Sequence, residues 1–339
     1  MCPAMSGITS DLRVGVIGVG TMGQHHARIL CESAGTHMVG FYDPDPARSE
    51  QICERLGCGC FSSLDELLDR AEAVSVAAPT SLHLEIGEKC LQRGIHVLIE
   101  KPLAHDVPSA TKLVELARKA GVTLMVGHVE RYNPAIRKLM ELLQEEPEEI
   151  ISIDARRLAP FDGSRCMDVD VLYDLLIHDV DLALEIAGSS VRRVSGTGKP
   201  VFSQQTDVAH TRIEFANGTT AVFWTGKCSP RKVRSLTVTT PRRHLEADTL
   251  ACTLTVCRAE QIPSATAGVC FMGEISSGSV PVDKEEPLRS EIEDFLRAVR
   301  YGLPPLVDGA RAVRDMQALE LIARSISQGG TVVEADSGD

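Results

Sequence analysis

VGVIGVGTMG, residues 14–23, decides the fold, because an apolar run typical of a buried strand leads directly into a glycine-rich turn and a helical pattern. Gly18, Gly20 and Gly23 have the spacing of a dinucleotide-binding turn. In such a turn the glycines permit a tight bend, a close backbone approach to a diphosphate and close packing of the helix on the strand. The first amides of the helix would bind the diphosphate. The stretch therefore predicts a dinucleotide site near the start of the chain.

An acidic residue stands at the end of the next predicted strand, as such a site requires. Asp43 follows the apolar run 39–42 and lies twenty residues beyond Gly23. Its carboxylate would accept hydrogen bonds from the adenosine ribose and repel a 2′-phosphate. Pro44 follows, where an NADP enzyme more often has Ser, Arg or Lys, so we expect NAD rather than NADP. The alternative is that the glycines belong to an ordinary strand–helix turn.

Further cofactor contacts are expected where other strands of the same sheet end. Ligands of an open parallel sheet bind beyond the carboxyl ends of its strands. The predicted strands 73–77, 96–99 and 123–127 end at three such places. For His83, helix capping or packing is the alternative role. The first residues of the helix after the glycine turn are also expected to contact the cofactor. The full set of these expected cofactor contacts is Thr21, Met22, Ala78, Pro79, Thr80, His83, Glu100, Lys101 and His128.

The order of patterns along the chain predicts two domains. Residues 13–127 alternate strand and helix patterns, which indicates an α/β fold with a doubly wound parallel sheet. After Gly127, β-rich runs and the tight-turn signal Asn217-Gly218 indicate an α+β domain with a mostly antiparallel open sheet. We place the domains at 1–127 and 128–339, and we expect 258–286 to be irregular. Two closing helices are predicted at 287–300 and 309–327, and the last helices could pack back on the first domain.

Composition excludes several classes of protein. A net charge of −12 argues against a nucleic-acid partner, which would need clustered Lys and Arg. The chain start lacks a signal-peptide pattern and no apolar run has membrane-spanning length, so we expect a cytoplasmic protein. The chain has eleven cysteines, but Cys58 and Cys60 are the only tight pair and no zinc-type spacing accompanies them. We therefore expect no metal.

A second group of residues carries acid–base chemistry. Asp174 and His178 are four residues apart in an otherwise apolar helical pattern, and Asp181 lies further along the same side. Ionisable groups on a buried helix cost stability, so they indicate a site. A histidine with a pKa near ~6.5 suits the removal of a hydroxyl proton. Lys101 could stabilise the alkoxide that develops as hydride leaves. The alternative is a structural helix with surface acids.

With these motifs the chain resembles the glucose–fructose oxidoreductase and inositol dehydrogenase (Gfo/Idh/MocA) family over nearly its whole length. The resemblance rests on GVGTMG at 18–23, EKP at 100–102, DLLIH at 174–178 and EIEDFL at 291–296. It implies a Rossmann domain followed by an open sheet whose outer face makes oligomer contacts, in a homodimer or homotetramer. It also implies a catalytic and substrate-binding set, with histidine as the acid–base: Lys101, Asp174 and His178.

The stretch VGHVERYNP at 126–134, with Pro160 and Phe161, resembles a narrower branch that contains UDP-N-acetylglucosamine 3-dehydrogenases. The branch implies oxidation of a sugar 3-hydroxyl. Clustered arginines would suit a diphosphate, although a single arginine could instead pair with surface acids. Asn133 could instead cap a helix. The loop that contains Asp168 could cover the substrate. The expected additional substrate contacts are Glu130, Asn133, Arg156, Arg157 and Arg165.

Two other functions remain open at this point. The first is a dehydrogenase of a free sugar or inositol, which would have little need for the arginines. The second is a nucleotide-sensing regulator that keeps the fold without chemistry. A sensor has no need for Lys101, Asp174 and His178 together, and all three are present.

Overall fold

The computed structural model describes residues 11–161, 170–262 and 271–335. The chain forms two compact units. The first unit contains the residues up to Val129 together with Leu288–Arg314, and the second contains Glu130–Pro287 together with the residues from Asp315 onward. Among the residues described, no helix is both long enough and apolar enough to cross a membrane.

A parallel sheet forms the centre of the first unit. Its strands are β1 (Leu12–Ile17), β2 (Thr36–Tyr42), β3 (Ala73–Val76), β4 (His96–Glu100) and β5 (Leu124–Gly127). They pair in the order β2-β1-β3-β4-β5, and every pairing is parallel. The central strand β3 and the edge strand β5 are buried along their length, as expected where helices cover both faces of a parallel sheet. The predicted doubly wound sheet is confirmed.

Helices connect these strands and end where the sequence supplies capping residues. Asp45 and Asp106 each accept backbone amides in the first turn of a helix, and Gly57 and Gly121 end the same two helices with φ of 67° and 68°. The strand order reverses between β1 and β3, so a crevice opens beyond the ends of these two strands. The helices are α1 (Thr21–Glu32), α2 (Pro46–Leu56), α3 (Leu64–Leu68), α4 (His83–Gln92) and α5 (Val107–Ala120).

A mixed sheet forms the second unit. Its pairing order is β13-β12-β11-β10-β6-β9-β8-β7-β14, in which β6 and β9 run parallel and the other pairs are antiparallel. The strands are β6 (Ser152–Leu158), β7 (Val191–Lys199), β8 (Val208–Phe215), β9 (Thr220–Gly226), β10 (Val233–Thr239), β11 (Arg243–Asp248), β12 (Thr253–Ile262), β13 (Phe271–Val280) and β14 (Val333–Glu334).

One face of this sheet is covered and the other is open. Burial alternates along β6, β8, β9 and β11, so successive side chains point to opposite faces. On the covered face, Phe215 and Phe223 pack in a core with residues of α6 (Pro134–Glu145), α7 (Ile177–Ala187) and the later part of α9 (Gly309–Ser327). The remaining helix, α8 (Pro287–Tyr301), belongs to the first unit from Leu288 onward.

The structure differs from the sequence-based expectation in the second sheet. The region 258–286 contains the end of β12 and all of β13, so the prediction that it is irregular is wrong. The strand β11 was not predicted. Its sequence, RHLEAD, is charged and low in β-branched residues. It becomes a strand because β10 and β12 pair with it on either side. The predicted turn at Asn217-Gly218 is present, with φ of 94° at the glycine.

Candidate active site

The glycine turn of the first unit leaves the start of α1 open. Gly20 precedes the helix, and no side chain caps it. A Cβ on Gly18 would lie 2.7 Å from the carbonyl oxygen of Ala77, and a Cβ on Gly23 would lie 1.8 Å from the carbonyl oxygen of Gly18. A Cβ on Gly20 would meet no atom within 4 Å. Two glycines are therefore needed for packing, whereas Gly20 faces space that a diphosphate would fill.

Asp43 is placed at the end of β2, with only 6% of its surface exposed. Its Oδ2 accepts the amide of Val19 at 2.8 Å and its Oδ1 accepts the amide of Asp45 at 2.9 Å. The guanidinium of Arg48 lies 3.3 Å from Oδ1. Arg48 was not singled out from the sequence, because its position one turn into α2 brings it to Asp43 only once the helix forms.

A cleft of about 620 Å³ opens beside these residues. The predicted cofactor residues that line it are Gly18, Gly20, Met22, Asp43, Ala78, Pro79, Glu100 and Lys101. In the described part of the chain, Thr21, Gly23, Thr80, His83 and His128 are not among the residues that line it. Arg48 and Lys89 also contribute to its walls.

His83 is buried beneath the loops that edge the cleft. Its Nδ1 lies 2.9 Å from the carbonyl oxygen of Pro102, and its Nε2 lies 2.9 Å from that of Ala78. Burial lowers the pKa of His83, although the two carbonyl hydrogen bonds act in the opposite direction. The imidazole therefore ties the loop after β3 to the loop after β4. This geometry fits the packing role that was the alternative for His83.

These features together fit NAD. The α1 amides, the open position at Gly20 and the acid at the end of β2 are the groups that bind the diphosphate and the ribose of a dinucleotide. Lys101 follows β4 and is half-buried in the cleft wall. His128 follows β5 and is buried, with 1% of its surface exposed. NAD, when bound, supplies the acceptor of a hydride.

The second unit holds Asp174 in a distorted helical turn. Leu172–Leu176 forms a π-helical turn that leads directly into α7, and such turns occur frequently at functional sites. The carboxylate of Asp174 lies 3.1 Å from Nζ of Lys227, at the end of β9. His178 is half-buried at the start of α7. Lys227 was missed in the sequence because only the tertiary fold brings it to Asp174.

Buried ion pairs hold α7 in place. Asp179 lies 2.8 Å from Nη2 of Arg157, whose Nη1 lies 3.0 Å from Glu130. Burial lowers the pKa of Arg157, but the Asp179 and Glu130 carboxylates outweigh it and raise the pKa overall. A second arginine, Arg131, lies 3.0 Å from Asp181. Asp179 and Asp181, the first two acids of α7 after His178, are therefore structural.

Two of the arginines that were expected to cluster at the substrate, Arg156 and Arg157, do not lie together. Arg156 and Arg157 are consecutive on β6, so their side chains point to opposite faces of the sheet. Arg157 is buried on the covered face, whereas Arg156 is exposed on the open face, 5.8 Å from the ring centroid of Trp224. The expectation that the two cluster on a diphosphate is wrong. Arg165 and Asp168 lie outside the described residues.

Two other expected substrate residues have structural partners. Glu130 accepts from Arg157 at 3.0 Å and from Arg234 at 3.1 Å. The side chain of Asn133 accepts the amide of Ala135 at the start of α6 and donates to the carbonyl oxygen of Thr249. Asn133 therefore makes the cap that was its alternative role. Both side chains are about 5% exposed.

Fold and cofactor site together define a Rossmann-type oxidoreductase, and comparison with known proteins gives the family. Residues 12–128 match the model of the oxidoreductase family with an NAD-binding Rossmann fold, and residues 151–244 match the Gfo/Idh/MocA C-terminal domain. The chain belongs to the Gfo/Idh/MocA family of oxidoreductases, and its cofactor is NAD.

Named relatives lie in several branches. UDP-N-acetylglucosamine 3-dehydrogenase of Acidithiobacillus ferrooxidans is 32% identical, over 91% of this chain and 95% of the relative. A solved structure of that enzyme superposes with a TM-score of 0.86 at 31% identity, covering 94% of this chain and 98% of the other. Myo-inositol 2-dehydrogenase of Thermotoga maritima is 26% identical, over 88% of this chain and 91% of the relative.

The open position at Gly20 gives a test of the cofactor site. We expect Gly20→Ala to fold normally, because the added methyl meets no atom within 4 Å, and to weaken NAD at least about tenfold by intruding on the diphosphate. Calorimetric titration with NAD and a thermal melt measure the two effects. Gly278→Ala is the matched control, since a Cβ there is equally unobstructed. Unchanged NAD affinity in Gly20→Ala would contradict the placement of the diphosphate.

Asp43 gives a test of cofactor choice. Asp43→Asn keeps an acceptor oxygen for only one of the amides of Val19 and Asp45 and removes the charge, so we expect NAD to bind roughly tenfold more weakly. Arg48 can then contact a 2′-phosphate, so the affinity for NADP should gain relative to that for NAD. Titrations with NAD and with NADP measure the ratio of the two affinities. The gain should disappear in Asp43→Asn/Arg48→Ala. If the ratio in Asp43→Asn equals that of the wild type, another residue reads the ribose.

Proposed function

We propose that the protein oxidises a ring hydroxyl of a sugar with NAD, and that the substrate is a UDP-N-acetylhexosamine oxidised at the 3-position. The observation that carries this proposal is the 32% identity to a UDP-N-acetylglucosamine 3-dehydrogenase, which extends over 91% of this chain and 95% of that enzyme. A match along both chains includes the substrate-binding part as well as the cofactor-binding part.

The residues of this chain have the chemistry that such an oxidation needs. As the hydride leaves the carbon, the hydroxyl proton must go to a base, and we assign this role to the imidazole of His178. The ammonium of Lys101 stabilises the alkoxide that develops. Asp174 orients the imidazole or the sugar, and Lys227, 3.1 Å away, fixes the Asp174 carboxylate. The reverse reaction uses the same groups, with His178 as the acid.

A dehydrogenase of a free polyol is the second candidate. It is favoured by the inositol dehydrogenases among the relatives, one of them matching 88% of this chain at 26% identity. The separation of Arg156 from Arg157 also removes one argument for a diphosphate-bearing substrate. Both candidates share the roles of His178, Lys101 and Asp174, and they differ only in what binds beyond the reacting ring.

The experiment that separates the candidates is NADH formation with UDP-N-acetylglucosamine, myo-inositol and glucose in parallel. We expect NADH absorbance to rise with the nucleotide sugar and to stay at background with the other two. A rise with myo-inositol or glucose alone would refute the nucleotide-sugar assignment and keep the reaction class. The three assays use the same enzyme and cofactor concentrations, so the substrate is the single variable.

Variants of the proposed catalytic residues test the mechanism in the same assay. We expect His178→Ala to lower kcat by about 10²–10⁴-fold, the usual contribution of a general base, with NAD affinity close to unchanged. Lys101→Ala should also lower kcat strongly. His244→Ala, at an exposed histidine of the second unit, and Lys89→Ala, at another lysine of the cleft wall, are the matched controls. Normal turnover in His178→Ala or Lys101→Ala would refute the assigned role.

We also propose that copies of the chain associate through the open face of the second sheet. Val222 and Trp224 are 42% and 41% exposed there, and the imidazole of His210 stacks 5.3 Å from the Trp224 ring. Exposed apolar side chains on a sheet face are typical of a buried contact between subunits. Light scattering should give a dimer or tetramer mass for the wild type and a smaller mass for Trp224→Glu. A monomer mass for the wild type would contradict this association.

A further inference from the structure

A buried group of ionisable side chains lies in the first unit. His26 on α1, Glu100 at the end of β4 and Glu291 on α8 have polar atoms that all lie within 4.8 Å of one another. His26 and Glu291 are completely buried and Glu100 is 8% exposed. Among the described residues, neither carboxyl oxygen of Glu291 has a hydrogen-bond partner. Burial of a carboxyl group without a partner is costly, and the cost is far greater when the group is charged.

Contacts fix the position of the Glu100 carboxylate. Its Oε1 lies 3.0 Å from Nε2 of His26, and its Oε2 accepts the backbone amide of Lys101 at 3.2 Å. Oγ of Ser75 lies 2.7 Å from Nδ1 of the same imidazole. On the neighbouring strand, a Cβ on Gly127 would lie 3.2 Å from the carboxyl carbon of Glu100. Glycine at that position therefore leaves just enough room for the carboxylate.

The two carboxyl groups of the cluster differ in their ionisation. Burial raises the pKa of Glu100, but the hydrogen bond from His26 and the charge of Lys101 outweigh it, so the pKa is lowered overall. Burial, the charge of Glu100 and the charge of Asp294 all raise the pKa of Glu291 well above its usual value. When two neighbouring carboxyl groups differ in this way, one is ionised and the other keeps its proton.

We propose that Glu291 is a positioning residue: it remains a neutral carboxylic acid beside the Glu100 carboxylate, so that this carboxylate keeps its place and fixes the backbone of Lys101. This role rests on the proposed catalytic function of Lys101. The proton stays on Glu291, and no bond to substrate or cofactor forms or breaks. When Glu291 ionises in alkaline solution, two adjacent carboxylates repel each other, and the Glu100 oxygen that holds the Lys101 amide moves away.

A metal ion would be a different occupant of the same cluster, and His26 argues against it. If the Ser75 hydroxyl donates to Nδ1 and Nε2–H donates to Glu100, both ring nitrogens are satisfied. Neither nitrogen then offers a lone pair, which a metal-bound histidine must do. A proton on Glu291 reduces the charge of the carboxyl pair without disturbing these hydrogen bonds.

Infrared spectroscopy of the holoenzyme tests the protonation directly. We expect a carbonyl band of a buried, protonated carboxylic acid at neutral pH, which disappears in Glu291→Gln and remains in Glu293→Gln. Glu293 is exposed on the same helix and is the matched control. Absence of the band in the wild type would overturn the proposal. Stoichiometric metal in the wild type, lost in Glu291→Gln, would also overturn it.

The pH dependence of stability gives a second measurement that needs no substrate. A carboxyl group with a raised pKa in the folded state stabilises the fold below its unfolded pKa, and this contribution is lost as the pH rises through the folded pKa. The Tm of Glu291→Gln relative to wild type should therefore increase from about pH 5 to about pH 8. For Glu293→Gln the difference should stay constant. Parallel curves for wild type and Glu291→Gln would overturn the proposal.

Turnover measures the effect on Lys101. We expect Glu291→Gln to keep kcat within about threefold at neutral pH and to lose the alkaline decline of the wild type, because a neutral amide replaces the neutral acid. Glu291→Leu is neutral as well, so it should lose the same alkaline decline, with KM little changed. A wild-type pH profile retained in Glu291→Gln would refute the positioning role. The infrared and melting results stand even if the substrate assignment fails.

Discussion

The second unit depends on the burial of one guanidinium. Arg157 joins β6, α7 and the turn before α6 through its pairs with Asp179 and Glu130. Removing one partner of such a group costs about 3–5 kcal/mol, since a buried charge is left uncompensated. These pairs fix the first turn of α7, next to the π-helical turn that contains Asp174. A distorted turn is thereby held rigid, as a preorganised site requires.

Much of the fold follows from local sequence patterns. The glycine turn at 18–23, the buried parallel strands and the turn at Asn217-Gly218 each follow from a pattern within about ten residues, so their sequence predicts them directly. The strand β11 could not be predicted in this way. Its alternation of Arg243, Leu245 and Ala247 with charged residues becomes a strand pattern only when β10 and β12 pair with it on either side.

The candidate site likewise contains residues that the sequence predicts and residues that it does not. Asp43 and Lys101 were found because the end of a parallel strand is a defined place, whatever the rest of the fold does. The expectation that Arg156 and Arg157 lie together failed because the sequence does not show which face of β6 is covered. A register shift of one residue moves each side chain to the other face. Lys227 was missed because its partner, Asp174, is far away in sequence and only tertiary structure joins them.

The buried carboxylates of the two units have different neighbouring groups. This difference determines which unit is sensitive to pH. In the second unit the partner of Asp179 is Arg157, which remains charged at any pH that the fold survives. In the first unit Glu100 is paired with His26 and neighbours Glu291, a carboxyl group whose pKa burial raises well above its usual value. Burial raises the pKa of Asp179, so this pair weakens in acid, but the arginine keeps its charge and the pair is insensitive to alkaline pH. The strand end that carries Lys101 depends on protons, so the alkaline limit of the enzyme should arise in the first unit.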